Sequence, residues 1–415
     1  MTAIYSITSG LHDEAAVKAI SDEFLESIFG TTGDTVSSSF VWKGSDFSDY
    51  GTADFNVIYI RTGGAEGIFK ELFHDLVDGG ARYFTLLASG KSNSLAASLE
   101  ILSWLRQQGF PGEVIHGSAD YVRSRIEVLQ KVAAARSSIY GTNIGVIGQP
   151  SDWLIASGYD SSAMLEKLGI GVQEIEMQRL LEAFDAQKSA MLQESVPAVT
   201  PPPVPEVRAS LPDAIRIYLA LKKIVEEDEL SALTLRCFDL LGTVHNTGCY
   251  ALARLNSEGI PSSCEGDVPA LLSMIISRAL TGRTGFQANP ASIDVNSGEV
   301  LFAHCTISFD MVDRYCFDTH FESGIGVGIH GHVPEGPVTV FKISGSLDRA
   351  FIAEGELIRN QYEDNLCRTQ VWIRLNPADA RYFLTAPIGN HHIIIPGHCG
   401  ELLREFVTVL QGVNL

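Results

Sequence analysis

The chain has 415 residues, 45% of them hydrophobic and 19% charged, which is material for about two to four domains and too apolar for disorder along most of its length. Fifty acidic against 30 basic side chains leave a formal charge of −20, which repels phosphate backbones and anionic lipid, and no basic patch is segregated to offset it. Neither nucleic acid nor a membrane is therefore expected as a partner. The seven cysteines begin only at Cys237 and include no Cys-x-x-Cys pair, which argues for a reducing compartment over a disulfide framework or a thiolate zinc site. The opening MTAIYSITSGLHDEAA has no basic n-region, and apolar stretches elsewhere fall short of the ~20 residues of a membrane span. The expected location is cytoplasmic.

In chain order, residues 1–140 alternate strand-like and helical runs, as a doubly wound α/β domain does. The strands are Ala3–Thr8, Asn56–Ile60, Tyr83–Ala88 and Glu113–His116, and the helices Glu66–Val77 and Ser94–Gln107. The turn Arg61-Thr-Gly-Gly-Ala-Glu-Gly67 joins a strand to a helix, where backbone N–H groups can meet an anion or a sugar hydroxyl. Its glycines lack the Gly-x-Gly-x-x-Gly spacing of a dinucleotide site, so tight-turn geometry is the favoured reading. A second α/β segment opens with Ile144–Ile147, followed by Gly148–Trp153. Prolines make Ser195–Val207 an extended connection, after which Ser210-Leu-Pro-Asp213 starts a helix with an apolar stripe from Ala214 to Val225.

Strand Leu233–Phe238, helix Thr247–Asn256, strand Pro261–Cys264 and helix Val268–Leu280 then form a β-α-β-α unit. Its strands should be parallel, with their carboxyl ends on the sheet edge where such folds bind ligands. The residues delivered there are Asp239, His245, Asn246, Glu265 and Asp267. From Gly285 the period changes to two. Glu299–Ser308, Tyr315–Phe321, Gly326–Gly331, Val338–Ile343, Ala350–Gly355, Thr369–Leu375 and His392–Ile395 read as the strands of an antiparallel barrel or sandwich, with a final helix Glu401–Leu410.

Histidines gather in this later part: His304, His320, His330, His332, His391, His392 and His398 follow His245. Of the adjacent pair His391-His392, one must point inward, because successive strand residues face opposite sides. Glu265 leads the acidic candidates, since a carboxylate between a buried strand and a helix meets ligand without the solvation of a surface glutamate. A helix-first glutamate favoured by the dipole would look the same. The residues alone thus point to an oxygen- and imidazole-ligated site, without a reaction.

Gly248–Asp267 resembles the segment of the L-fucose isomerase family that carries a metal-binding glutamate. Leu301–Cys305 resembles that family's His-Cys strand, Thr319–Ile329 with Gly336–Val340 its barrel hairpin, and Asn390-His391-His392 its late histidine ligand, present as a His-His pair in the L-arabinose isomerases. Gly148–Trp153 and Asn93–Ala96 resemble pieces of its N-terminal domains. The resemblance implies two Rossmann-like α/β domains, residues 1–140 and 141–282, followed by a C-terminal antiparallel β-barrel domain, 283–415, with the site between the last two. It also implies Mn²⁺ or another divalent cation and a homo-oligomer, hexamer or trimer.

Carried over by position, Glu265 is a metal ligand and acid–base carboxylate, His392 a metal ligand, and His304 a ligand as in the arabinose isomerase branch. The second acidic ligand falls on Asn289, whose amide oxygen can coordinate a cation but cannot accept a proton at neutral pH. Asp267 and Asp294 are the candidates to replace it. His245, Asn246, Trp153 and His391 are the expected substrate contacts. The resulting expectation is a metal-dependent aldose–ketose isomerase acting on a small sugar, neutral rather than phosphorylated given the charge of −20. Two other readings stay open: a metal-assisted lyase or other enolising enzyme on a sugar-derived substrate, and a non-catalytic sugar-binding relative.

Overall fold

The first apolar runs pair in parallel, and helices cover both faces of the sheet they make. A computed structural model, describing residues 2–30, 37–41, 50, 53, 55–78, 81, 83–187 and 204–411, gives β1 (Thr2–Ile7), α1 (Glu14–Phe29), β2 (Ser37–Val41), β3 (Phe55–Ile60), α2 (Glu66–Asp78), β4 (Phe84–Ala88), α3 (Ser94–Gln107), β5 (Gly112–Ile115) and α4 (Ala119–Ile139). The sheet runs β2-β1-β3-β4-β5, all parallel. Alternation along β3 sends Ile58 and Ile60 to a cluster with Phe69, Phe73 and Phe84, and Val57 and Tyr59 to another with Val122 and Ile126. Residues 1–138 with 405–415 form one compact unit, and residues 139–404 a second. Within the first, Arg125 lies 2.9 Å from Glu113 and 2.6 Å from Glu405.

The second unit begins with β6 (Asn143–Ile147), α5 (Ser161–Leu168), β7 (Gly171–Ile175), α6 (Met177–Ala186), α7 (Pro205–Glu227), β8 (Ala232–Leu235), α8 (Asp239–Thr243), α9 (Cys249–Ser257), β9 (Ser262–Cys264) and α10 (Val268–Thr281). Its parallel sheet has the order β7-β6-β8-β9. Helix α7 starts at Pro205 rather than Ser210, because proline is tolerated in the first turn and Val207 and Leu211 lengthen the buried stripe. Residues 195–203 of the expected extended connection lie outside the described residues.

There follow β10 (Phe286–Asp294), β11 (Glu299–His304), β12 (Arg314–Asp318), β13 (Gly328–His332), β14 (Gly336–Ile343), β15 (Ala350–Gln361), β16 (Thr369–Arg374), α11 (Pro377–Thr385), β17 (His392–Pro396) and α12 (Gly400–Gln411). Six of these strands close an antiparallel barrel, β10-β11-β16-β15-β14-β17, while β12 and β13 pair as a separate ribbon. The α/β class with a C-terminal barrel is thus the fold the chain adopts. Strand β10, which closes the barrel, was not expected. Its Gln287, Asn289, Pro290 and Ser292 obscure the period-two pattern, and a register shift between Pro290 and Ser292 accommodates the proline. Ala288, Val300, Phe302, Val340, Ala353, Val371 and Ile394 belong to the apolar core. No helix among the described residues is long and apolar enough to cross a membrane.

Candidate metal and active site

Glu265 is delivered by a backbone reversal. Strand β9 ends at Cys264, and Glu265 and Gly266 both take left-handed conformations, with φ of 67° and 71°. Gly266 N–H donates to Leu235 O at 3.1 Å, and Ser151 N–H donates to Glu265 O at 3.0 Å. A Cβ on Gly266 would stand 2.7 Å from Pro150 Cα, so the position admits only glycine. Holding a glutamate left-handed costs about 1 kcal/mol or more, strain of the kind found at functional sites. Asp267 then caps α10, its Oδ1 accepting the Ala270 N–H at 2.7 Å. The Gln287 amide ties the end of β9 to the barrel, its Oε1 accepting the Cys264 N–H at 2.8 Å.

The reversal aims the carboxylate at two histidines from the barrel. Glu265 Oε1 lies 3.9 Å from His304 Nε2 and 3.5 Å from His391 Nε2, and one ligand atom from each of the three residues falls within 4.8 Å of the others. The far nitrogens are anchored: His304 Nδ1 pairs with Thr306 Oγ1 at 2.9 Å, and His391 Nδ1 donates to Asp267 Oδ2 at 2.8 Å. His391 Nε2 is buried without a hydrogen-bond partner, and so, on β10, is Asn289 Oδ1. Asn289 pairs with Ala303, the residue before His304, and follows Ala288, which pairs with His392.

The charges follow from these neighbours. Burial works to raise Glu265, but His391, His304 and the Trp153 N–H outweigh it and hold the carboxyl down at about 2. Burial, reinforced by His391, pushes His304 down to about 3. Burial also opposes charge on His391, yet Asp267 and Glu265 on either side raise it to about 9. These neighbours favour a charged His391 opposite the Glu265 carboxylate. One carboxylate oxygen and two imidazole nitrogens fit a divalent cation of the oxygen- and imidazole-seeking kind.

Trp153 closes one side. Its Nε1–H donates to Glu265 Oε2 at 2.6 Å, and its ring, about half exposed, stands edge-on to Phe238 at 4.9 Å. Phe238 in turn meets His320 at 5.5 Å. Arg236 braces the Trp153 loop through Pro150 O and Asp152.

Several expected residues stand elsewhere. His392, expected as a ligand, lies away from the Glu265–His304–His391 cluster: paired with Ala288 in the barrel ladder, it points among Phe351, Tyr382 and Phe383 and shares a hydrogen bond with the Tyr382 hydroxyl. His245 is exposed in the loop after α8. Asn246 is buried, but its amide is committed to Ser210 O and Thr247 N. Asp294 accepts the Asn296 N–H in a surface turn. Phe238 was not foreseen, and an aromatic just beyond a buried strand gave no signal that separates it from core.

No protein-family model matches the chain. The sulfoquinovose isomerase of Alkalicoccus urumqiensis is 24% identical over 281 residues, covering 64% of this chain and 63% of that protein. That of Priestia aryabhattai is 23% identical over 335 residues, 77% of this chain and 74% of its own length. That of Clostridium sp. (strain MSTE9) is 27% identical over 245 residues, 56% and 50% of the two chains. The match therefore spans less than two thirds of the Alkalicoccus protein.

Proposed function

We propose that this chain is an aldose–ketose isomerase of a small sugar, related to the L-fucose isomerases, with a divalent cation, Mn²⁺ foremost, held by Glu265, His304 and His391 and within reach of the Asn289 amide oxygen. The observation that carries the reading is the convergence of those three donors, with His391 Nε2 buried and without a hydrogen-bond partner. The shared name of the relatives supports the reaction class.

A bound cation would polarise the carbonyl and hydroxyl oxygens of the sugar, so that the carbon-bound proton between them becomes acidic enough to move. Glu265 is the carboxylate placed to carry that proton between neighbouring carbons, and Trp153 orients it by occupying Oε2. Asn289 binds without exchanging a proton. Trp153, Phe238 and His320 offer an apolar and aromatic wall for the sugar. Arg236 is matched by Asp152 and Asp239, which favours a neutral sugar over an anionic one. We further propose a cytoplasmic homo-oligomer, trimeric or hexameric, and the domain limits 1–140, 141–282 and 283–415. The amide at Asn289 favours one second reading, an enolising lyase on a sugar-derived substrate that needs a single carboxylate.

The test is Mn²⁺ titration combined with turnover on L-fucose, D-arabinose, other neutral aldoses and sulfoquinovose. Metal binding with aldose-to-ketose turnover is the expected result. Metal binding with cleavage products would replace the isomerase by the lyase, and no binding would remove the ion centre.

A further inference from the structure

Strand β14 carries one charge among apolar neighbours. Lys342 shares a strand face with Val338 and Val340, pairs across the ladder with Phe351 and is 1% exposed. Burying an ammonium is costly unless it is closely matched. Its match is Asp267, with Nζ 3.4 Å from Oδ1 and 3.5 Å from Oδ2. Asp267 is itself fully buried and already has two commitments, the Ala270 N–H on Oδ1 and His391 Nδ1 on Oδ2.

Capping α10 does not require this arrangement, since serine, threonine or asparagine caps a helix without burying two charges. What a carboxylate adds is a strong acceptor for an imidazole N–H, and that is the contact it makes with His391. Orienting a ligand histidine through its far nitrogen fixes both the tautomer and the plane of the ring.

We propose that Asp267 and Lys342 are positioning residues of the ion centre: Asp267 fixes the His391 ring with Nε2 toward Glu265, and Lys342 is the counter-charge that anchors Asp267 from inside the barrel. This rests on the ion-centre reading above. It makes Lys342 a determinant of cation affinity through its contact with Asp267 rather than through the ligands themselves.

The experiment compares the full chain with Lys342→Met, Asp267→Asn and the double variant, which buries neither charge. Three quantities are read: Mn²⁺ affinity by calorimetry, the His391 ring by ¹⁵N NMR, and thermal unfolding. The double variant should fold, bind Mn²⁺ about tenfold to a hundredfold more weakly, and lose the strongly hydrogen-bonded Nδ1 proton of His391. Restored folding with affinity within about twofold of wild type and an unchanged His391 ring would overturn the proposal, leaving a purely structural pair. Should the variants fail to fold, the wild-type spectrum decides: a His391 ring without a bonded Nδ1 proton overturns the proposal. Wild-type protein that binds no Mn²⁺ removes the ion centre, a failure separate from the ring orientation that the spectrum reads.

Discussion

His391 and His392 are neighbours in sequence and occupy opposite surroundings. His391 lies fully buried between Asp267 and Glu265, and these carboxylates raise it to about 9 against the opposition of burial. His392 goes into the barrel beside Phe351, Tyr382 and Phe383, where burial, with the nearby Lys342 charge, pushes it down to about 3. The surroundings therefore favour the charged imidazole at His391 and the neutral one at His392. The comparison teaches that the face a strand residue takes decides its chemistry more than its identity does. A ring already holding a proton against two carboxylates can exchange it for a metal ion, whereas a ring whose Nε2 meets a tyrosine hydroxyl at 3.1 Å has a structural task.

The largest effect that would break or confirm this contrast is on cation binding. His391→Asn removes a donor and should weaken Mn²⁺ binding by more than about a hundredfold, the upper range for merely supporting residues, and abolish sugar isomerisation. Calorimetry and a ketose assay read both outcomes; wild-type-like binding would return the ligand role to His392. His392→Ala should leave Mn²⁺ affinity nearly unchanged but destabilise the protein by about 2–4 kcal/mol, because it empties a packed aromatic site. Urea unfolding measures that loss.

A third test uses pH on ion-free protein. The folded pKa of His391 lies above its unfolded value of about 6.5, so its contribution is fully present below that pH and is lost as pH rises toward 9. His392 has a depressed pKa, so its contribution is present above about 6.5 and lost as pH falls toward 3. Urea midpoints should accordingly fall less on the alkaline side for His391→Asn and less on the acid side for His392→Phe than for wild type. Identical profiles for the two variants would erase the contrast. The smallest effect is expected from Trp153→Phe, which keeps a ring against Phe238 but removes the donor to Glu265 Oε2. A net hydrogen bond of about 1 kcal/mol corresponds to about a fivefold loss in turnover, and steady-state kinetics would detect it.

Much of this site can be read in the sequence where local rules govern it. Cys264-Glu-Gly-Asp267 announces a strand end, a left-handed turn and a helix cap followed by Pro269, so the placement of Glu265 at a sheet edge follows from short-range chemistry. Alternation also tells that one of His391 and His392 points inward. Which one depends on the pairing of Ala288 with His392, a register set by a strand a hundred residues away and invisible to local pattern. Strand β10 escaped because Gln287, Asn289, Pro290 and Ser292 break the apolar alternation along it. Lys342 left a legible trace, a lone charge on the same strand parity as Val338 and Val340, but its partner Asp267 lies 75 positions away. His245 and Asn246 were delivered to the edge as the topology requires, yet a short helix and an amide already committed to backbone groups turn both to other uses.

The contact between Arg125 and Glu405 bears on the order in which the protein can be made. Residues 1–138 are translated before residue 405, and domains generally fold as units during synthesis. This unit cannot finish that way, because the segment that begins at Glu405 belongs to it. Until that segment is translated, the contact of Arg125 with Glu405 cannot form. A nascent chain halted anywhere before residue 405 therefore carries an amino-terminal unit that is still incomplete, however long it has been waiting.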